Sequence, residues 1–149
     1  MAMEIYEKHS DRNMVYFLGI NQKGYFLANQ IRTELEKLSP LKTNLSRLTI
    51  SPSDPLSTDV SLEIQASVLK KQAVIIVDDV MNSGRTLFYS FKGMANALPS
   101  SVEVCVLVLR MHKSFPVHVD YYGLRLATTI KQDIEVVFQK EKAIEAKMY

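Results

Sequence analysis

One cysteine, Cys105, stands in the 149 residues, so the chain can close no disulfide of its own and build no cysteine zinc cluster. A lone thiol fits a reducing compartment, and the cytoplasm is the expected location. Neither sign of charge is in excess: 18 Lys and Arg face 16 Asp and Glu, a formal +2. That balance commits the protein to no polyanion through its overall field, so any contact with nucleic acid has to be a local patch. Long hydrophobic runs are absent too. None approaches the ~20 apolar residues of a membrane span, and Met1 to Arg12 mixes charges without the apolar stretch of a signal peptide. No internal repeat, low-complexity tract or linker interrupts the sequence. What is present is ordinary for a globular domain: 47% hydrophobic and 23% charged residues, enough apolar material to exclude disorder over most of the chain. The length suits one domain, 1–149, with one sizeable core.

Met14-Val15-Tyr16-Phe17-Leu18-Gly19-Ile20 is a nearly continuous apolar run, the pattern of a strand buried on both faces. A turn at Asn21-Gln22-Lys23-Gly24 follows, and then Leu27, Ile31, Leu35 and Leu38 form a helical stripe ending before Pro40. From Ser39 to Ser67 the composition shifts to Ser, Thr, Asp and Pro, with strand-like character only at Leu45–Ile50 and Val60–Ile64. Ala73–Val77 is the most apolar run. After it, Leu87, Phe91, Met94 and Leu98 mark a second helical stripe closed by Pro99. Val102–Leu109 reads as another strand, Arg110–Pro116 as a loop, and Val117–Leu126 and Ile134–Phe138 as further strands. Gln139–Tyr149 reads as a solvated helix or frayed end. Apolar strands alternating with amphipathic helices predict an α/β fold with a mostly parallel sheet covered on both faces.

In open parallel sheets, ligands bind beyond the carboxyl ends of the strands. The residues after Val77 are unusual there: Asp78 and Asp79 leave the strand, and Asn82-Ser83-Gly84-Arg85-Thr86 opens a helix. Gly84 lets the backbone curl with its N–H groups inward, which makes an anion cradle, with the Ser83 and Thr86 hydroxyls as further donors. Two adjacent carboxylates suit vicinal hydroxyls of a sugar, or Mg²⁺ held through water, better than the phosphate itself. The combination reads as a ribose 5-phosphate site. Other readings exist. A P-loop has the glycine spacing of Gly19 to Gly24, but Tyr25 stands where its lysine is required. A phospho-accepting receiver domain also carries an acidic pair, but after its first strand. A purely structural turn gives no reason for acids, glycine, arginine and threonine in this order.

Val74–Thr86 resembles the phosphoribosyl pyrophosphate (PRPP) binding signature of type I phosphoribosyltransferases. Gly19–Ala28 is similar to the pyrophosphate loop and following helix of the PyrR branch, the pyrimidine-operon attenuation regulators with uracil phosphoribosyltransferase activity. Val106–Pro116 resembles that branch's base-covering hood, and with Ala127-Thr128-Thr129 the likeness spans roughly Met14 to Phe138. The resemblance implies a type I phosphoribosyltransferase fold with a hood at about 110–119 and a flexible loop at about 45–58. Such enzymes move ribose 5-phosphate from PRPP to a ring nitrogen of a base, with Mg²⁺ on the pyrophosphate.

On that resemblance, Asp78, Asp79 and Lys23 are the catalytic residues. Asp78 and Asp79 hold the ribose hydroxyls, and the PRPP site runs on through Val80, Met81, Asn82, Ser83, Gly84, Arg85 and Thr86. Asn21, Gln22, Lys23 and Gly24 form the pyrophosphate loop. Arg110, Met111 and His112 lie near the base, and Arg47 is the guanidinium nearest the flexible loop. The bland alternatives are a solvated turn lysine at Lys23 and a solvent-facing histidine at His112; His118 is assigned nothing. An asparagine at 82 stands where the 6-oxopurine enzymes carry an aspartate suited to take a proton, and an amide cannot serve as that base. The expected acceptor is therefore uracil, giving UMP, with hypoxanthine or guanine as the alternative.

Departures from the branch are Leu109 where it has aspartate, Met111 where it has glycine, and Thr49–Asp54 in place of the loop's arginine-acid pattern. The amino terminus holds little of the expected leading helix. The resemblance also implies a homodimer or larger homo-oligomer, and an alternative role as an RNA-binding regulator with little turnover. Lys37, Lys42, Arg47, Lys70, Lys71 and Lys113 are the residues available for a basic face.

Overall fold

The computed structural model describes residues 1–57, 59–127 and 133–149. Strand β1, Met14–Ile20, is the centre of the fold, and its side chains alternate between two cores as period-2 geometry requires. Tyr16, Leu18 and Ile20 enter one; Val15 and Phe17 enter the other. Strand β4, Ala73–Met81, does the same, with Val74 and Ile76 on the first side and Ala73, Ile75 and Val77 on the second. Burial on both faces is why both strands read as unbroken apolar runs.

The second core is roofed by helix α1, Ala2–His9, and helix α2, Asn21–Leu38. Leu27, Ile31 and Leu35 are buried, while Leu38 is outside. A leading helix therefore does form, with Ile5 buried in that core. The first core is covered by shorter pieces: a 3-10 turn at Ala66–Leu69, helix α3 at Arg85–Ser90 and a second 3-10 turn at Phe91–Met94. The expected stripe to Leu98 is thus cut short. Leu98 is 70% exposed at φ 50°, because the chain turns back ahead of Pro99.

Strands β2 (Lys42–Thr49), β3 (Ser61–Leu62), β5 (Ser101–Arg110) and β6 (Tyr121–Leu126) complete a six-stranded sheet in the order β3-β2-β1-β4-β5-β6. Every pairing is parallel except β2 with β3. The fold is therefore α/β with a mostly parallel sheet, as the sequence implies. The chain leaves β1 toward β2 on one side and returns with β4 on the other, so the switch point lies between β1 and β4. That is where the carboxyl ends open a crevice.

Three boundaries differ from expectation. Residues 45–49 of the expected flexible loop belong to β2, paired with β1. Val117 and Val119 are buried but precede β6 rather than extend it. The tail is neither helix nor frayed end: β7, Ile134–Gln139, and β8, Lys142–Met148, form an antiparallel hairpin. Its turn residues Lys140 and Glu141 both have positive φ, the hand that matches strand twist, but without the glycine or asparagine that announces such a turn. The hairpin is held by β7, whose Ile134 and Val136 pack on Val108 of β5. Among the described residues no helix is long and apolar enough to cross a membrane.

Candidate active site

Two glycines bring α2 onto the strands at the switch point. A Cβ on Gly19 would stand 2.3 Å from Tyr25 Cα, and one on Gly24 would stand 2.4 Å from the Val77 carbonyl oxygen. Only hydrogen fits at either place. The turn expected at Asn21–Gly24 is consequently the first turn of α2 itself. Asn21 begins it at φ 51°, a conformation asparagine tolerates, and its amide clasps the backbone of Ile50: Nδ2–H donates to Ile50 O and Oδ1 accepts from Ile50 N, both at 3.0 Å. This clasp ties the start of α2 to the segment after β2. Gly24 is buried against the sheet, so of the four expected pyrophosphate-loop residues it has a packing role. Asn21, Gln22 and Lys23 border the crevice.

The facing wall comes from β4, which continues past Val77 to Met81 and pairs with β5 through Met81 and Leu109. A hollow of ≈ 390 Å³ is lined by Asn21, Gln22 and Lys23 on one side and by Asp78, Asp79, Val80, Asn82 and Thr86 on the other. A second, tight hollow of ≈ 50 Å³ is lined by Asp78 and by Val80 through Leu87. Here Gly84 takes φ 84°, and Ser83 Oγ accepts the Arg85 N–H at 3.3 Å, so the chain curls into α3 around a space of about one small anion. The two hollows share Asp78, Val80, Asn82 and Thr86.

The acids are not equivalent. Burial, and then the neighbouring Asp79 charge, hold the Asp78 carboxyl well above the usual carboxylate range. The Asp79 N–H donates to Asp78 Oδ1 at 2.9 Å. Lys23 Nζ lies 3.8 Å from Asp79 Oδ2 and 3.6 Å from Glu135 Oε1, bridging α2, β4 and the hairpin. Glu135, which meets the site through Lys23, and Ile134 and Pro52, which line the larger hollow, are the contributions that sequence reasoning missed. Recognising it required the β7–β8 pairing, which had no turn signal.

The hood residues separate. Arg110 ends β5 nearly buried and donates from Nη1 to Asn82 Oδ1 at 2.8 Å, which joins it to the crevice. Met111 and His112 are exposed and border neither hollow of the crevice. The reason is local: the Ser114 and Phe115 N–H groups both donate to Ser83 O, at 2.9 and 3.1 Å, so the chain bulges outward before it returns to the Gly84 turn. Met111 lines instead a separate hollow of ≈ 350 Å³ behind the hood, with Arg110, Lys113, His118 and Arg125. Arg47 is likewise displaced from its expected place. It is a β2 residue whose guanidinium stacks 4.5 Å from the Tyr25 ring centroid and faces Glu63. Thr128 and Thr129 lie outside the described residues, as does Thr58 of the expected flexible loop.

Comparison with known proteins points to one family and fold. The chain is 29% identical over 151 residues to the bifunctional protein PyrR of Microcystis aeruginosa, covering 94% of this chain and 82% of that protein. It is 31% identical over 142 residues to the pyrimidine operon regulatory protein of Lactococcus lactis, covering 93% and 80%. Among solved structures, the hypoxanthine phosphoribosyltransferase of Trypanosoma cruzi superposes with a TM-score of 0.72 over 84% of this chain and 72% of that one, at 15% identity, a likeness of fold. Residues 1–140 match the phosphoribosyl transferase domain, which takes in every residue lining the two hollows and leaves out β8, and the chain belongs to that family.

Proposed function

We propose that the protein transfers ribose 5-phosphate from PRPP to a nucleobase, with uracil as acceptor, giving UMP and pyrophosphate. The observation that carries this reading is the meeting at one switch point of Lys23, the Asp78–Asp79 pair and the small-anion turn in two connected hollows. The 5-phosphate fits the tight hollow, where the Ser83–Thr86 turn offers backbone and hydroxyl donors. The ribose then lies over Asp78 and Asp79, whose oxygens accept from its hydroxyls. Held at both ends, the sugar keeps its anomeric carbon between the leaving group and the base. Lys23 and the Asn21–Gln22 amides face the charge that grows on the departing pyrophosphate as the sugar becomes oxocarbenium-like.

Mg²⁺ is the implied cofactor. Among the described residues no three ligating side chains converge on a metal position. The two carboxylates on the floor of the hollow fit an ion that enters with PRPP and reaches them through water. Such an ion would neutralise charge on the leaving pyrophosphate.

The test is UMP formation from labelled uracil, PRPP and Mg²⁺. The wild-type protein forms UMP, and Asp79→Ala loses activity by roughly a hundredfold or more. No UMP, with PRPP binding retained, would overturn the enzyme reading in favour of a second one, an RNA-binding regulator that senses nucleotides in this crevice. The hollow behind the hood favours that reading, because Arg110, Lys113, His118 and Arg125 line it without a carboxylate among its lining residues. The basic face drawn from the sequence does not gather there: Lys42 begins β2 and Lys70 and Lys71 precede β4, at the opposite end of the sheet.

A further inference from the structure

The register of β4 on β5 sets Met81 opposite Leu109, so Asn82 and Arg110 follow side by side. Arg110 is 7% exposed and donates to Asn82 Oδ1 at 2.8 Å. A guanidinium has donors and no acceptor. The amide must therefore give Arg110 its oxygen and turn its NH₂ elsewhere. Asn82 is exposed and borders both the sugar hollow and the phosphate hollow, while Arg110 borders the hollow behind the hood. The pair thus stands on the partition between sugar and hood, where a base attached to the sugar has to lie. Turning the amide over would set an NH₂ against the buried guanidinium and leave a donor short of its acceptor. The frame is held as well, because Ser83 O accepts the two hood N–H groups next to this pair.

We propose that Arg110 locks Asn82 as a hydrogen-bond donor toward the base, and that this donor selects a nucleobase presenting a ring carbonyl oxygen at that edge. The proposal rests on the phosphoribosyl reading above and adds the residue that sets base choice. Asn82 is the group that touches the base; Arg110 is a positioning residue that acts through it. A base offering an N–H at the same edge meets donor against donor. A site built around one hydrogen-bonding partner rejects an analogue lacking it far more strongly than an apolar pocket does.

Titration calorimetry with Mg²⁺ and three ligands, ribose 5-phosphate, UMP and CMP, which carries an amino group where UMP has a ring carbonyl, tests this without requiring turnover. Asn82→Asp keeps the side chain's shape and replaces its donor by an acceptor. The new charge lines the phosphate hollow and weakens every phosphate ligand, so the reading is the loss beyond that of ribose 5-phosphate: the UMP dissociation constant rises roughly tenfold or more on top of it, and the preference for UMP over CMP narrows or reverses. A loss for UMP no greater than that for ribose 5-phosphate, or an unchanged preference for UMP over CMP, would overturn the proposal. Arg110→Gln narrows the UMP preference in the wild-type background and has no further effect on it in Asn82→Ala; equal effects in both backgrounds would make Arg110 merely structural. Failure of the wild-type protein to bind ribose 5-phosphate would overturn the phosphoribosyl reading itself, and this inference with it.

Discussion

Lys23 lies between Asp79 and Glu135 at ion-pair distances of 3.8 and 3.6 Å, and about half of its side chain is exposed. Exposed pairs of this length contribute little to stability, so its conservative removal acts on function. Lys23→Ala lowers kcat/KM by roughly tenfold to a hundredfold with an unchanged melting temperature; an unchanged rate would place the lysine outside the reaction. Asp78 carries the opposite kind of cost. Its folded carboxyl titrates above the unfolded value of about 3.9, so its favourable contribution is complete below that pH and is lost as pH rises through the folded value. Above its folded value the ionised, half-buried acid is therefore a destabilising group. Asp78→Asn raises the melting temperature by an amount that grows with pH, the gain vanishes below about pH 4, and activity falls. A lower melting temperature at pH 7 would contradict this. Both residues could be singled out in the sequence, Asp78 directly after the most apolar run and Lys23 beside Gly24. The Asn82–Arg110 pair could not, because their meeting depends on the β4–β5 register, which no local pattern specifies.

At the scale of elements, α2 and β4 form the crevice because glycine lets them touch. Gly24→Ala places a methyl 2.4 Å from the Val77 carbonyl, a β4 backbone atom that cannot yield. The variant loses about 1–3 kcal/mol of stability, seen by denaturant titration, and moves Lys23 with its helix; wild-type stability would contradict the account. Helix α1 is fastened at the far end of the sheet. His9 Nε2–H and the Tyr121 hydroxyl donate to Glu103 Oε2 at 3.0 and 2.5 Å, and Lys8 lies 3.1 Å from Oε1. Burial alone would raise this carboxyl, but the Tyr121, His9 and Lys8 hydrogen bonds hold it below the usual range. Its contribution is present above the unfolded value of about 4.3 and lost as pH falls through the folded one. The melting-temperature advantage of wild type over Glu103→Gln is full at pH 6 and shrinks below about pH 4; an advantage independent of pH would sink this assignment. Helix α2 was legible from Leu27, Ile31 and Leu35. The β7–β8 hairpin was hidden because β8 is mostly exposed and its turn carries Lys140 and Glu141.

Across the whole molecule, one topological fact organises the chemistry. The chain turns one way from β1 and comes back the other way at β4, so two loops that are distant in sequence face each other across a gap. The long helices seal one face of the sheet, and short turns with the hood seal the other. The 110–119 segment is fastened to the Gly84 turn through Ser83, so the two share a common frame. The central claim is that this gap performs phosphoribosyl transfer. Its most direct test is pyrophosphate release from PRPP and Mg²⁺ with uracil, and in parallel with hypoxanthine, guanine and orotate. The account predicts release that depends on uracil and disappears in Asp79→Ala. No release with any of the four bases would contradict it.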